Sequence, residues 1–420
     1  MEAILLTKNL QMGPQTLEEY RAEGGYEALG RALWDKPEIV LAAVRDSGLR
    51  GRGGAGFPAG QKWQMVADEA ATPKYVVANG GEDEPGSLKD RLLMENFPHK
   101  VLEGVILAAY AVGASEAVLY INSVYERAIA HMENAIKEAT GEGWIGERIG
   151  GDRYSLSVRV HQGSQQYVAG EDSAALEVIE GKEPLPRQKP PYPVSAGLFG
   201  KPTVVNNIET FAYVPAIVRK GAEWFRSQGT EDNPGTMLFT LPTNVKHPGV
   251  VELPVGTPLR SLIEDYGGGL ASGKGVKAVL PGGPSSGLVG GADLDVAMDR
   301  QPLIALGSSL GCGAMRIIEE GECVVEKMND IAQFFEQESC GQCPTCSMVT
   351  QTLAKIMSQV TAGQGHAAML DQVAKLGMFA RGKGFCALIL MPIPPLSTAI
   401  KLFPEDFAYH IEHGHCRNED

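Results

Sequence analysis

Two stretches of this 420-residue sequence combine residue types and spacings that could do chemistry, and the first spans residues 47–62. It contains six glycines: Gly48, Gly51, Gly53, Gly54, Gly56 and Gly60. Glycine lets a backbone approach a ligand closely, and Arg50, Arg52 and Lys62 add positive charge, so we predict a phosphate-binding loop. An ordinary glycine-rich surface loop is the alternative. Residues 51–56 match G-x-G-x-x-G, but the preceding segment has helical periodicity, so an ordinary dinucleotide-binding turn is not predicted.

The second stretch holds three cysteines at intervals of three residues, Cys340, Cys343 and Cys346. Thiolates at this spacing can bind one compact inorganic cluster, which takes its fourth ligand from elsewhere in the chain. Cys386 follows Cys346 by 40 residues, enough for a helix and a return, so we predict it as that ligand in preference to Cys416. The spacing favours a 4Fe-4S cluster, with a zinc site and uncoordinated core cysteines as the alternatives.

The other cysteines and the histidine-rich end of the chain are predicted to bind nothing. Cys312 and Cys323 are isolated in the sequence, so we predict that they are small buried hydrophobic residues. Residues 409–416 contain three histidines and Cys416, a composition that could bind a metal but more often marks a solvated tail. We therefore predict a solvated tail.

Carboxylates occupy two further loops. Three of them lie at 82–84, in a turn that begins at Asn79 directly after a β-branched run at 74–78, and Glu171 and Asp172 follow a glycine. Carboxylates repel phosphate but accept hydrogen bonds from hydroxyls, so beside a phosphate-binding loop they predict a nucleotide with a ribose. A carboxylate at the ribose 2'-hydroxyl would favour NAD over NADP, and a solvated acidic turn is the alternative.

The elements that must position these residues follow from periodicity. From about residue 61 to 232, strand-like and helical patterns alternate, which predicts an α/β domain with a mainly parallel sheet. Asn206 and Asn207 are predicted to open a helix that runs towards Lys220. From 237 to 325, short β-branched segments, the last at 323–328, predict a small domain of β-grasp type, and helical spacing returns beyond 330.

Composition limits the partners and the compartment. A net charge of -14 argues against nonspecific binding to nucleic acid, so an anionic ligand needs a local basic pocket. The first ten residues lack the basic region of a secretory signal, and the longest apolar runs, 104–115 and 385–391, are too short to span a bilayer. The cysteine pattern suits a reducing compartment, so we predict a cytoplasmic protein that does not insert into a membrane.

Six segments, taken in order, resemble the NADH-binding flavoprotein subunit of respiratory complex I (its F subunit) and the related diaphorase subunits of NAD-linked hydrogenases and formate dehydrogenases. They are GLRGRGGAGFPAGQKW at 48–63, NGGEDEPGSLKDR at 79–91, GEDSAALE at 170–177, KPPYP at 189–193, VVNNIET at 204–210 and ESCGQCPTC at 338–346.

This resemblance implies an N-terminal segment (1–60), a Rossmann-like FMN and NADH domain (61–232), a ubiquitin-like β-grasp domain (233–328) and a helical bundle with the 4Fe-4S cluster (329–420). It implies FMN contacts from Gly51, Arg52, Gly53, Lys62, Asn79, Glu82, Gly170, Asn206 and Asn207. It implies NADH contacts from Phe57, Glu84, Asp172, Lys189 and Tyr192, with Glu171 beside them. Two departures from the family pattern stand out: Gly81 where an aspartate is usual and Asp172 where a glutamate is usual.

The activity that the resemblance implies is hydride transfer from NADH to FMN, followed by transfer of single electrons through the 4Fe-4S cluster. The cofactors carry this chemistry, so no acid–base residue is required. The implied partners are a thioredoxin-like iron–sulfur subunit and a larger iron–sulfur subunit of complex I. The alternatives are a diaphorase subunit of a soluble hydrogenase or formate dehydrogenase, and a divergent electron-relay subunit without nicotinamide turnover.

Overall fold

The computed structural model describes residues 3–8, 13–152 and 154–417. The chain divides into two compact units. The first comprises the residues up to Asp83 together with 87–239 and 250–255, and the second comprises 84–86, 240–249 and the residues from Gly256 onward. This partition is coarser than the four-part division that the sequence predicts, which stays a prediction.

A five-stranded sheet organises the first unit. Its strands are β1 Tyr75–Gly80, β2 Glu116–Asn122, β3 Gly146–Arg148, β4 Tyr154–Gly163 and β5 Thr203–Asn207. Their spatial order is β3-β4-β2-β1-β5, and β4, β2, β1 and β5 pair in parallel, whereas β3 pairs with β4 in the antiparallel sense. The α/β class with parallel strand pairing is thereby confirmed.

Helices surround this sheet and supply its crossovers. They are α1 Leu17–Ala22, α2 Glu27–Ala32, α3 Pro37–Asp46, α4 Ala59–Asp68, α5 Lys89–Asn96, α6 Pro98–Val112, α7 Glu126–Gly141, α8 Ile149–Asp152, α9 Asp172–Ile179, α10 Pro193–Ala196, α11 Ile208–Ala212, α12 Val214–Lys220 and α13 Ala222–Arg226. Helix α6 is buried along its whole length. Gly104 makes this possible, because a Cβ atom there would overlap the carbonyl oxygen of Phe211 in α11.

Strand β5 corrects one sequence prediction. Asn206 does not open a helix, because it pairs with Ala78 as part of a strand, and α11 begins only at Ile208. Asn207 is the N-cap of α11, and its side-chain oxygen accepts the Glu209 N–H at 3.0 Å. Since β2 and β5 flank β1 on opposite sides, the strand order reverses at β1, and such a switch point is where open α/β sheets bind ligands.

Smaller sheets and a group of helices follow. Strands β6 Thr236–Leu241 and β7 Gly249–Pro254 form a two-stranded sheet. In the second unit, β8 Val276–Leu280, β9 Val289–Gly290 and β10 Arg316–Glu319 form an antiparallel sheet in the order β10-β8-β9. The helices here are α14 Leu259–Ser261, α15 Arg300–Ala305, α16 Val324–Gln337, α17 Pro344–Thr361, α18 Ala367–Ala380, α19 Ile393–Leu402 and α20 Pro404–His413.

The prediction of a strand at 323–328 is wrong, because this segment begins α16. The β-branched pair Val324 and Val325 suggested a strand locally. Both are buried together with Met328, Ile331 and Phe335, a spacing that places them on one face of a helix. Packing of that face against the core overrides the local preference.

Within the described residues, no single helix is long and apolar enough to cross a membrane. One bent pair, Ala387–Leu402 and Pro404–His413 at 89°, passes the same length and composition criteria together.

Candidate functional site

The glycine-rich loop between α3 and α4 folds back on itself. The Gly51 N–H donates to the Phe57 carbonyl at 2.9 Å, and the Arg50 Nε donates to the Asp232 carbonyl at 2.7 Å. Gly54 and Gly56 have φ angles of 111° and 64°, in a region that favours glycine. The loop conformation therefore requires glycine at these positions.

Arg52 anchors this loop to the interior of the first unit. Its backbone N–H donates to Thr210 Oγ1 at 2.9 Å, and its guanidinium donates to Asn233 Oδ1 and to the Pro234 carbonyl, each at 2.7 Å. The side chain is only 2% exposed. These bonds hold the loop in place, and the predicted contact of Arg52 with FMN stays a prediction.

Five of the predicted FMN contacts meet at the carboxyl edge of the parallel strands. Asn79 Nδ2 donates to the Gly170 carbonyl at 2.9 Å, and Asn207 Nδ2 approaches the Asn79 carbonyl at 3.4 Å. Lys62 Nζ donates to the Val205 carbonyl of β5 at 2.8 Å. A Cβ on Gly53 would lie 3.0 Å from the Cβ of Asn207, which places the glycine-rich loop beside the same edge.

Neighbouring residues fix Asn206 and lower the basicity of Lys62. The buried indole of Trp63 donates from Nε1 to Asn206 Oδ1 at 3.0 Å. Burial lowers the pKa of Lys62, while the charge of Asp172 opposes this shift. An anion beside this ammonium would favour its charged form.

A buried charge network, which the sequence analysis missed, orients Asn207. The ammonium of Lys89 lies 2.9 Å from Asp90 Oδ1, 3.0 Å from Glu209 Oε2 and 3.0 Å from Asn207 Oδ1. Asp90 Oδ2 accepts the Asn207 amide at 2.6 Å. Burial raises the pKa of Glu209, and the charge of Lys89 counteracts this rise. The alternation of charges in 89–91 carries no sequence signal of burial.

Glu82 caps the first turn of α5. Its carboxylate accepts the backbone N–H groups of Asp90 at 3.1 Å and Arg91 at 2.9 Å, and the hydroxyl of Ser87. Burial, reinforced by the nearby Asp90 charge, raises the pKa of Glu82 to about 7. Its observed bonds are those of a helix cap, and its predicted contact with FMN stays a prediction.

Glu171, Asp172 and Lys189 form a second charged group. The Lys189 ammonium lies 2.5 Å from a carboxylate oxygen of each acidic residue. Glu171 is the N-cap of α9 and accepts the Ser173 and Ala174 N–H groups, each at 2.9 Å. Burial, then the neighbouring Asp172, raises the pKa of Glu171 to about 7. Burial also acts to raise the pKa of Asp172, but its contact with Glu171 and the Lys189 charge lower it on balance.

The loops after β1 and β4 are in direct contact. A Cβ on Gly170 would lie 2.9 Å from the Gly81 carbonyl oxygen, so only glycine fits there without a shift of backbone. Phe57 and Tyr192 are 40% and 57% exposed, so their rings are accessible. Glu84 belongs to the second unit.

The four predicted iron ligands, Cys340, Cys343, Cys346 and Cys386, all lie in the second unit. Cys343 is the N-cap of α17, and Cys346 lies in the first turn of that helix. Burial raises the pKa of Cys346; the Ser339 hydroxyl acts to lower it, and nearby Cys343 and Cys340 act to raise it. The Phe385 N–H points at Cys343 Sγ at 3.4 Å, which brings the backbone next to Cys386 up to the three clustered cysteines.

Two predictions about the other cysteines are corrected. Cys312 is only half-buried, so the prediction that it is buried is wrong. Cys323 is buried as predicted, and its sulfur lies 3.0 Å from His410 Nε2. The predicted solvated tail is wrong for His410 and Cys416, which are 2% and 7% exposed. The sequence separation of 87 residues between Cys323 and His410 hid this contact.

The fold and these residues define a class of protein, an α/β flavoprotein with an iron–sulfur region, and comparison with known families agrees. Residues 44–216 match the Nuo51 FMN-binding domain, and residues 326–410 match the NADH-ubiquinone oxidoreductase-F iron-sulfur binding region. The second match includes all four predicted iron ligands. The chain thus has both cofactor-binding regions that the sequence predicted.

Individual relatives give the family. The second F subunit of the NADH-quinone oxidoreductase of Rhizobium meliloti is 43% identical, and the match covers 95% of each chain. NADP-reducing hydrogenase subunit HndC of Solidesulfovibrio fructosivorans is 39% identical over 96% of this chain and 82% of its own. A crystal structure of an NAD+-reducing NiFe hydrogenase in the H2-reduced state superposes with a TM-score of 0.84 at 32% identity, covering 97% of this chain and 67% of that one. The chain belongs to the family of NADH-quinone oxidoreductase F subunits.

Proposed function

We propose that this chain oxidises NADH with FMN bound at the switch point of the first unit, and that electrons leave through a 4Fe-4S cluster held by the second unit. The observation that carries the proposal is the convergence of Lys62, Asn79, Gly170 and Asn207 at the carboxyl ends of the parallel strands. Polar groups that meet at such an edge are suited to a nucleotide-like ligand.

The residues at this edge fit FMN. Gly53 lets the glycine-rich loop pack against Asn207, and Gly170 lets the loop after β4 pack against the Gly81 carbonyl, so both loops lie at the edge where the ligand would bind. Lys62 offers a buried positive charge for the phosphate, and Asn79 and Asn206 offer amides to the ring and the ribityl hydroxyls. Arg52 and Glu82 would support the FMN site without contacting FMN. Arg52 holds the glycine-rich loop in place, and Glu82 holds the start of α5.

The nicotinamide nucleotide would use the more exposed groups. Phe57 and Tyr192 offer accessible rings for stacking. Asp172 offers a carboxylate to a ribose hydroxyl, and the contact of Glu84 with the nucleotide stays a prediction. The lowered pKa of Asp172 keeps its carboxylate ionised, and this negative charge would oppose the 2'-phosphate of NADPH and favour NADH.

Cys340, Cys343, Cys346 and Cys386 would hold the cluster. Bound FMN would supply an acceptor for the hydride of NADH, and the cluster would supply an acceptor for single electrons. The side chains of this chain orient the two cofactors and exclude water, and none needs to move a proton. The Phe385 N–H and the Ser339 hydroxyl, both directed at cysteine sulfurs, would stabilise thiolates that ligate iron.

Several finer features belong to the same proposal. The flavin region would be Rossmann-like (61–232), followed by a ubiquitin-like domain (233–328) and a helical bundle (329–420). The acceptors would be a thioredoxin-like iron–sulfur subunit and a larger iron–sulfur subunit on the cytoplasmic side. A diaphorase role in a soluble hydrogenase is the second candidate, because HndC and the hydrogenase structure are similar over most of this chain.

The test is an anaerobic titration of the purified holoprotein with NADH and with NADPH, followed by visible absorbance. We expect NADH to bleach the flavin band at lower concentration than NADPH does. Asp172→Asn should reduce the difference between the NADH and NADPH concentrations needed for bleaching, because it removes the carboxylate that opposes the 2'-phosphate. Glu183→Gln is the control at an exposed position, and it should leave this difference unchanged. Protein with iron and sulfide, but without flavin or NADH-dependent ferricyanide reduction after added FMN, would overturn the proposal in favour of an electron-relay subunit.

The parent complex needs a separate measurement. Affinity purification of the tagged chain from its own cells, with identification of the bound proteins, distinguishes the candidates. Quinone oxidoreductase subunits are the expected result, and hydrogenase subunits would establish the diaphorase role instead.

A further inference from the structure

A second group of metal-binding side chains lies in the second unit, apart from the four cysteines already assigned. Cys323 Sγ, His410 Nε2 and Cys416 Sγ all lie within 4.8 Å of one another, and all three residues are buried. They come from the N-cap of α16, the last turn of α20 and the segment that follows it. Cys323 and Cys416 both lie outside the matched iron–sulfur region at 326–410.

The imidazole is the informative member of this group. His410 Nε2 is 3.0 Å from Cys323 Sγ and 3.3 Å from Cys416 Sγ, so one nitrogen faces two sulfurs. Bonds of about 2.3 Å from zinc to sulfur and about 2.0 Å to nitrogen place two ligands of a tetrahedral ion about 3.5 Å apart. The distances from the nitrogen to the two sulfurs are somewhat shorter than that value, so a bound ion would move these side chains slightly apart.

The surroundings suit thiolates and a buried imidazole ligand. The Glu326 N–H at the start of α16 points at Cys323 Sγ at 3.4 Å, which stabilises a negative sulfur. His410 is buried, so its imidazole faces the two sulfurs away from bulk water. The two sulfurs pair as a disulfide in this structure, and reduction of that bond returns the two thiolates that a metal requires.

We propose that Cys323, His410 and Cys416 bind a zinc ion that links α20 and the segment after it to the start of α16. Two thiolates and an imidazole are ligands that Zn²⁺ prefers, and water can complete a tetrahedral site that has three protein ligands. The ion is redox-inactive, so this site stabilises the second unit and takes no part in electron transfer.

The experiment measures metals in the holoprotein, purified anaerobically without chelators. We expect about one zinc per chain beside the cluster iron, and X-ray absorption at the zinc edge should show two sulfur ligands and one imidazole nitrogen. Cys416→Ser and His410→Gln should lose zinc and keep iron. Cys312→Ser is the matched control, since it removes a cysteine outside the group and should keep both metals.

Four results would overturn the proposal. One is a zinc-free holoprotein with a Cys323–Cys416 disulfide, detected in peptides alkylated before reduction. Another is a zinc-free holoprotein in which both thiols are alkylated. The third is zinc with four sulfur ligands, which would place it at Cys340, Cys343, Cys346 and Cys386. The fourth is zinc that persists in Cys416→Ser. The X-ray absorption spectrum at the zinc edge is measured on the unaltered protein, so it tests the proposal even if a variant fails to fold.

Discussion

Replacing Lys89 by methionine should destabilise the first unit strongly, because it removes the counter-charge from two buried carboxylates. The Lys89 side chain is 1% exposed and lies within 3.0 Å of both Asp90 and Glu209, which are 3% and 0% exposed. Methionine keeps most of the apolar stem but leaves two acids without their cation. It also removes the ammonium that donates to Asn207 at the proposed flavin site.

The loss of stability expected for Lys89→Met is large because the ion pairs of Lys89 are buried. Removing one partner of a buried ion pair costs about 3–5 kcal/mol, because the remaining charge is left desolvated and uncompensated. A loss of about 4 kcal/mol shifts the unfolding equilibrium by about 1000-fold. We expect the loss to shrink at low pH, since the pKa of Glu209 is already raised by burial and protonation would neutralise its charge.

Tryptophan fluorescence during urea unfolding can measure this loss. All four tryptophans of the chain, Trp34, Trp63, Trp144 and Trp224, lie in the first unit, so the signal reports that unit alone. A loss of about 4 kcal/mol should lower the urea midpoint by about 1 M or more. The flavin content of the purified variant should fall as well.

Lys182→Met is the matched control. Lys182 also contacts two carboxylates, Glu177 at 3.2 Å and Glu180 at 2.6 Å, but its side chain is 57% exposed. Exposed pairs contribute about 0–1 kcal/mol, so the control should unfold almost like the unaltered protein. Equal losses in the two variants would refute the reasoning. So would a Lys89→Met loss that Glu209→Gln fails to reduce.

Two further predictions concern the first unit. Gly104→Ala should destabilise it by about 1–3 kcal/mol or more, because the added methyl group overlaps the Phe211 carbonyl. Gly141→Ala is the control, since Gly141 has open space around it and the variant should keep its stability. Thermal unfolding of both variants checks this prediction. The stability contributed by Glu82 should be fully present below pH 4.5 and fall by at most about 3 kcal/mol as the pH rises through about 7, because the folded state binds the proton of Glu82 more tightly than the unfolded state does. Urea midpoints measured across this pH range check the decline. Glu82→Gln should make the midpoint less dependent on pH.

Periodicity predicted the elements whose stability is local. Helix α3 and strand β1 lie close to their predicted positions, since a run of apolar or β-branched residues at one period specifies each. Strand β5 was missed because its pairing partner, β1, lies more than 120 residues earlier, and two asparagines locally resemble a helix cap. Pairing over that distance leaves no local signal.

The same limit applies to the candidate site. The structure brings Asn207 beside Gly53 of the glycine-rich loop, but the sequence does not show where a side chain points. Arg52 and Glu82 are charged residues in the expected loops, yet both bond to the protein itself. The Lys89 network and the Cys323 group join residues that are distant in the chain, so spacing could not reveal them.

Gly81, where the family pattern has an aspartate, has a structural cause in this chain. A Cβ at this position would lie 2.8 Å from Tyr120 Cε1, closer than side chains pack. The Tyr120 ring cannot easily retreat, because its hydroxyl accepts the Ser164 N–H at 3.1 Å and a Cβ on Gly163 would lie 2.6 Å from its Cζ. The Tyr120 ring packs closely against both Gly81 and Gly163, so an aspartate at 81 would require Tyr120 to move. Any flavin bound here must therefore rely on the amides of Asn79 and its neighbours in place of that carboxylate.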